Sequence, residues 1–89
     1  MADGKAFTLE VVTPERVVFT GLVTTVVAPA ADGYLGILAH HAPLLALLSP
    51  GRIVYRNPSG TTATLQSQGG GVLEVRDNRV LVLADRIAA

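Results

Sequence analysis

The stretch VLEVRDNRVLVL, residues 72–83, decides the fold class of this chain. Two runs rich in Val and Leu flank Asp77-Asn78, and both of these residues tolerate the positive φ angles of a tight hairpin turn. Leu73 and Val75 alternate with polar residues such as Glu74, so we expect the first two side chains to face a core. The stretch therefore predicts an antiparallel β-hairpin.

The same signals occur elsewhere in the chain. Residues 52–56 and 61–66 flank an Asn-Pro-Ser-Gly turn at 57–60, which predicts a second hairpin. Residues 7–11 alternate apolar with polar side chains, and residues 22–27 read as a strand that ends before Pro29. In the first of these segments we expect three residues to face inward: Phe7, Leu9 and Val11.

Glycine and proline recur so often that no long helix fits before the C-terminus. Residues 85–89 permit a helix, but one this short has no stability of its own in water. Many short strands separated by turns predict an all-β chain, a small antiparallel β-sandwich or flattened barrel. We expect residues 1–89 to form one such domain.

Composition excludes several function classes. Seven basic and seven acidic residues cancel, and they are scattered, which argues against nucleic acid as a partner. The chain has no cysteine, and its two histidines match no metal-ligand spacing, so we expect no metal and no cofactor. The apolar run 42–48 is too short to cross a bilayer, and the first residues lack a secretion signal. The chain reads as cytosolic or as facing the cytosol.

Residues 32–45 hold both histidines, and they read either as a catalytic loop or as a surface fitted to another protein. A catalytic interpretation takes His40 or His41 as a general base oriented by Asp32 or Asp85. No serine stands in a nucleophile motif, and on an extended chain two adjacent histidines point to opposite faces. These observations favour the surface, and we expect no catalytic residue.

The glycine triplet at 69–71 lacks the helix and lysine of a phosphate-binding loop, so it predicts no nucleotide site. Glycines at the start of a strand indicate instead a bulge or a close approach of two backbones.

His41 and Tyr34 are further candidate contact residues. His41 is either a histidine that hydrogen-bonds to backbone or a contact residue beside the rigid apolar Ala42-Pro43. Tyr34, at a turn tip after Asp32-Gly33, reads as an exposed aromatic residue of the kind that interfaces favour.

At these residues the chain resembles the epsilon subunits of bacterial rotary ATP synthases, which correspond to the mitochondrial delta subunits. The most specific motifs are Gly-x-Leu-Gly-Ile, His-Ala-Pro-Leu and Leu-Ala-Asp at their observed separations. The stretches that carry the resemblance, in the family's order, are residues 7–15, 33–37, 41–44, 50–51, 70–75 and 80–85.

This resemblance implies a ten-stranded β-sandwich without catalytic residues that sits on the central rotor. It implies binding to the gamma subunit and to the polar loops of the c-ring, which couples proton flow to ATP synthesis at the cytoplasmic face of the bacterial inner membrane. The residues it implies for the gamma interface are Thr13, His41, Ala42, Pro43 and Ala46. Those it implies for the c-ring interface are Asp32, Gly33 and Tyr34.

The chain departs from the family at three places. An acidic residue is common where this chain has Tyr34, and Pro-Gly is common where it has Ala39-His40. Family members usually continue into an inhibitory helical hairpin, which we expect to be absent here because the chain ends four residues after Asp85. The alternative function is a stand-alone β-sandwich module that binds carbohydrate or peptide.

Overall fold

A computed structural model describes residues 5–88, which form ten β-strands and contain no α-helix. The strands are β1 (Phe7–Val12), β2 (Val17–Val23), β3 (Thr25–Ala30), β4 (Gly33–Ile37), β5 (Leu44–Leu48), β6 (Gly51–Arg56), β7 (Thr62–Ser67), β8 (Gly71–Arg76), β9 (Arg79–Ala84) and β10 (Ile87–Ala88). The prediction of an all-β chain is confirmed.

All ten strands belong to one sheet that nearly closes into a flattened, barrel-like sandwich, with β10 and β2 at its two ends. Nine strands follow the order β10-β7-β6-β3-β5-β8-β9-β1-β2, and β4 pairs with β3. The two halves of the sandwich meet between β3 and β5, where Ala30 pairs with Leu48. Neighbouring strands are antiparallel with one exception: β1 runs parallel to β9.

The core lies between the two halves and is filled by alternate residues of the strands. Phe7, Leu9 and Val11 are buried, as their alternation predicts. Phe19 on β2 and Tyr55 on β6 link the two halves, with ring centroids 4.4 Å apart. Burial of this apolar surface is the main stabilising term for so small a chain.

Both predicted hairpins are confirmed, as β6–β7 and β8–β9. In the second, Asp77 and Asn78 have φ angles of 52° and 58°, which are the values that a type I′ turn requires at both central positions. The predicted close backbone approach is present at Gly71, whose Cα faces the backbone of Leu83.

Three segments differ from the sequence predictions. The run 22–27 is divided at Thr24, where the chain crosses from β2 in one half of the sandwich to β3 in the other, and β3 continues through Pro29. The segment 32–45, which we interpreted as a loop or fitted surface, contains β4 and the first two residues of β5. The helix permitted by residues 85–89 does not form over the described residues, because Ile87 and Ala88 pair with β7; Ala89 lies outside the described residues.

Candidate functional site

The tip of the β3–β4 hairpin presents Asp32, Gly33 and Tyr34, the three residues predicted to face the c-ring. All three are exposed, and Tyr34 keeps 59% of its surface accessible. Gly33 has a φ of 122°, which a residue with a Cβ rarely adopts. The predicted exposure of Tyr34 is therefore confirmed, although its partner stays a prediction.

Tyr34 is exposed but held in place. Its hydroxyl oxygen accepts a hydrogen bond of 3.3 Å from the backbone amide of Arg52. A Cβ on Gly51 would lie 2.9 Å from the same hydroxyl oxygen, so the tyrosine approaches the start of β6 at a position where only glycine leaves room. The tip is thus a fixed surface with one accessible aromatic ring.

The predicted gamma-facing shoulder, His41-Ala42-Pro43, lies between β4 and β5. The preceding His40 has a φ of 62°, so the chain turns here and the assumption of two histidines on an extended strand is wrong. This left-handed conformation is the one that the family's glycine at this position would favour. The Ala39-His40 departure therefore keeps a glycine-like backbone.

His41 is half-buried, and its Nδ1 donates a hydrogen bond of 2.7 Å to the carbonyl oxygen of Ala42. The acceptor is a carbonyl, so the proton must reside on Nδ1. Within residues 5–88 the other ring nitrogen, Nε2, makes no hydrogen bond. Both open interpretations of His41 are thus compatible with its geometry: one nitrogen bonds to backbone and the other is free for a partner.

Thr13 follows β1 and is only 7% exposed. Its amide donates to the carbonyl oxygen of Arg16 at 2.9 Å, and its hydroxyl donates to the same oxygen at 3.4 Å. Its neighbours include Gly71 and Asp85. Thr13 therefore shapes the β1–β2 turn and offers little surface of its own.

Ala46 lies in the middle of β5, directly opposite Leu73, which is buried. Residues opposite each other in a sheet point to the same face, so the Ala46 methyl group points inward. It borders an open groove that also includes Asp32 and Tyr34. The structure thus brings Ala46 beside the predicted c-ring residues.

The predicted gamma residues lie at opposite ends of β1. Asn78 bonds to His40 and also to Ala6, just before β1, whereas Thr13 follows the end of β1. At about 3.3 Å per residue these ends are roughly 20 Å apart. The tip of the β3–β4 hairpin also lies at the Thr13 end of β1. Ala30, beside the tip, pairs with Leu48, and Leu48 pairs with Gly71, which is a neighbour of Thr13.

Two leucines that we did not predict stand out on β5, between the shoulder and the Thr13 end. Leu45 is 71% exposed and Leu47 is 66% exposed. Leu47 belongs to a row of directly paired residues that crosses the outer face of the sheet, which we call the outer apolar stripe: Leu47, Val72, Leu83, Val12 and Val17. The uninterrupted apolar run 44–48 was the available signal, because a strand with two apolar faces is normally covered on both.

The next row of this outer face is more polar. Glu74 and Glu10 both lie opposite Leu81, one on each side, and Arg76 approaches Glu74 to 4.0 Å. This ion pair is exposed and contributes little to stability. The outer face therefore offers an apolar band bordered by acidic groups.

Residues 5–88 contain no group of three or more His, Asp or Glu side chains placed to hold a metal ion. The same residues include no helix with the length and apolarity needed to span a membrane.

Comparison with known proteins identifies the family. Residues 6–89 match the model of the ATP synthase, Delta/Epsilon chain, beta-sandwich domain. The chain is 47% identical over 77 residues to the ATP synthase epsilon chain of Desulforamulus reducens, covering 86% of this chain but only 57% of that relative. It is 38% identical over 87 residues to the epsilon chain of Chlorobium limicola, covering 98% of both chains.

Solved structures agree on the fold. A chain in the cryo-EM structure of the Euglena gracilis mitochondrial ATP synthase OSCP/F1/c-ring superposes with a TM-score of 0.83 at 20% identity, over 90% of this chain and 51% of that one. A chain of the Tetrahymena thermophila mitochondrial ATP synthase central stalk/c-ring gives a TM-score of 0.76 at 18% identity, over 91% and 64%. With the family model matched over nearly the whole sequence, the chain belongs to the delta/epsilon family of ATP synthase subunits.

Proposed function

We propose that this chain is a non-catalytic subunit of the central rotor of a bacterial proton-translocating ATP synthase. In this role it links the gamma subunit to the c-ring and so couples proton flow to ATP synthesis. Its place is then peripheral, at the cytoplasmic face of the inner membrane, where it is attached through the c-ring. Membership of the family supports this proposal.

The observation that carries the proposal is the exposure of Leu45 and Leu47. A row of large apolar side chains on an otherwise ordinary surface is typical of a protein–protein interface. β5 starts directly after Pro43, so Leu45 and Leu47 lie next to the predicted gamma shoulder, whereas Ala46 between them points to the opposite face of the strand. We therefore place gamma along β5 and the outer apolar stripe.

This placement accommodates the separation of the predicted gamma residues. A partner that touches both the His41 shoulder and the Thr13 end must extend over roughly 20 Å, the length of β1. The outer face of β5 runs between these ends. Thr13, being buried, would act by shaping the turn at one end of the interface.

The hairpin tip is then the contact with the c-ring loops. Tyr34 offers an aromatic ring and Asp32 an exposed carboxylate, so the contact rests on stacking and hydrogen bonding together with charge. Because the tip lies at the Thr13 end, gamma and the c-ring would meet at that end of the sandwich.

A binding assay tests the proposal. Immobilised chain is incubated with purified cognate gamma subunit, with detergent-solubilised c-ring, and with both together. We expect retention of gamma alone and of the c-ring when gamma is present. Retention of neither would overturn the proposal.

The alternative, a carbohydrate- or peptide-binding module, needs a platform of exposed aromatic residues. Phe7 is buried and Phe19 packs on Tyr55, which leaves Tyr34 as the exposed aromatic of the four in the chain. No observation favours this alternative over the rotor role.

A further inference from the structure

Asn78 joins two segments that are far apart in sequence. Its side-chain oxygen Oδ1 accepts a hydrogen bond of 2.7 Å from the backbone amide of His40. Its side-chain nitrogen Nδ2 donates a bond of 3.0 Å to the carbonyl oxygen of Ala6. Asn78 itself occupies the second left-handed position of the β8–β9 turn, so the rigid hairpin fixes the direction of its side chain.

The hydrogen bond to His40 lies at a residue whose backbone conformation is unfavourable. His40 is a non-glycine residue with a φ of 62°, a conformation that is unfavourable for a residue with a Cβ. Among residues 5–88, this is the one hydrogen bond that ties the connection 38–43 to another segment of the chain. His41 bonds only to the adjacent Ala42, which cannot anchor the connection to the sheet.

We propose that Asn78 is the positioning residue of the His41-Ala42-Pro43 shoulder. By holding the His40 amide, it selects the left-handed backbone that sets the direction in which the next three residues leave the sandwich. Its second bond, to Ala6, keeps the start of β1 beside the same turn. The role in partner binding rests on the proposed function, in which this shoulder contacts gamma.

Three variants separate positioning from general stability. Asn78→Gly keeps the left-handed turn and removes both side-chain bonds. Asn78→Asp keeps an acceptor for the His40 amide and replaces the donor to Ala6 with a charged carboxylate oxygen. Asp77→Gly is the matched control, because it changes the same turn at the neighbouring left-handed residue, whose side chain makes no hydrogen bond within residues 5–88.

The first measurement is hydrogen exchange of the His40 amide by NMR, which needs no partner. We expect Asn78→Gly to speed exchange of this amide by about tenfold, the worth of one hydrogen bond, while the amides of β5 change less. Asn78→Asp and Asp77→Gly should leave it within about twofold of the original chain. Unchanged exchange in Asn78→Gly would overturn the proposal.

The second measurement is affinity for the gamma subunit. We expect Asn78→Gly to weaken binding by about three- to tenfold, and Asn78→Asp and Asp77→Gly to bind within about twofold of the original chain. Equal weakening by Asn78→Gly and Asp77→Gly would overturn the proposal, since it would show a general effect of the turn. If the original chain does not bind gamma, the proposed function is overturned. If the original chain binds gamma and Asn78→Gly binds equally well, only the role of Asn78 in positioning the shoulder is overturned.

Discussion

A Cβ atom on Gly71 would overlap the carbonyl oxygen of Leu83 on the neighbouring strand β9. No side chain fits there, so β8 can start at this position only if the residue is glycine. The contact is between two backbones, which cannot move apart without breaking the ladder that joins β8 to β9.

Gly71→Ala should therefore lower the free energy of unfolding by at least about 2 kcal/mol, because the added methyl group forces strands apart. Urea denaturation followed by circular dichroism measures this change. Gly36→Ala is the control: a Cβ there meets nothing within 4 Å, and we expect a change of less than about 1 kcal/mol. Equal effects at the two positions would contradict the steric explanation.

His40 tests the left-handed backbone before the shoulder. Glycine adopts this conformation freely, so His40→Gly should leave the free energy of unfolding within about 1 kcal/mol of its original value. Valine is β-branched and resists a positive φ, so His40→Val should lower it by about 1–2 kcal/mol. Thermal unfolding of the two variants in the same buffer distinguishes them. Equal stability of His40→Val and His40→Gly would contradict the prediction.

Leu47 tests the proposed gamma interface. Leu47→Thr keeps a good strand former and removes an exposed apolar side chain, so we expect affinity for gamma to fall by about tenfold or more and stability to change by less than about 0.5 kcal/mol. Val27→Thr is the matched control, because Val27 is 38% exposed on β3, in the other half of the sandwich. Isothermal titration with purified gamma gives both affinities, and a similar loss at Val27 would place the interface elsewhere.

Tyr55 makes stability depend on pH in the alkaline range. Burial raises the pKa of its phenol above the ordinary value of 10.0, because the charged form loses solvation. The unfolded chain then loses its phenolic proton at lower pH than the folded chain. This contribution is fully present below pH 10.0 and is lost as the pH rises from there through the folded pKa.

Tyr55→Phe should remove this component of the alkaline decline. The measurement is the free energy of unfolding between about pH 9 and pH 12, with Tyr34→Phe as a control that changes an exposed tyrosine. An identical decline in the original chain and in Tyr55→Phe would refute the assignment.

Local signals explain the parts of the fold that the sequence predicted. Alternation identifies Phe7 and Leu9 as core residues, and Asp77-Asn78 identifies a hairpin, because both signals act over a few residues. β10 has no such signal: Ile87 and Ala88 become a strand only because β7 offers them an edge. The division at Thr24 likewise follows from the crossing between the two halves, since its amide bonds to the carbonyl oxygen of Arg56, far along the chain.

The candidate site shows the same limit. The exposure of Tyr34 follows from its place at a turn tip. The exposure of Leu45 and Leu47 does not follow from their type, because apolar residues in a strand usually indicate a core. The separation of Thr13 from His41 depends on the position of β1 beside β9, which no local pattern encodes.

β1 lies in the interior of the sheet, but its two neighbours leave the ribosome at different times. β2 follows directly, whereas β9 begins only at Arg79. Until then a growing chain carries β1 with one edge unpaired, and an unpaired edge can pair with other chains. Pairing strands so distant in sequence also slows folding. The sandwich therefore completes itself only after nearly all of its residues have been synthesised, and shorter nascent chains expose that open edge.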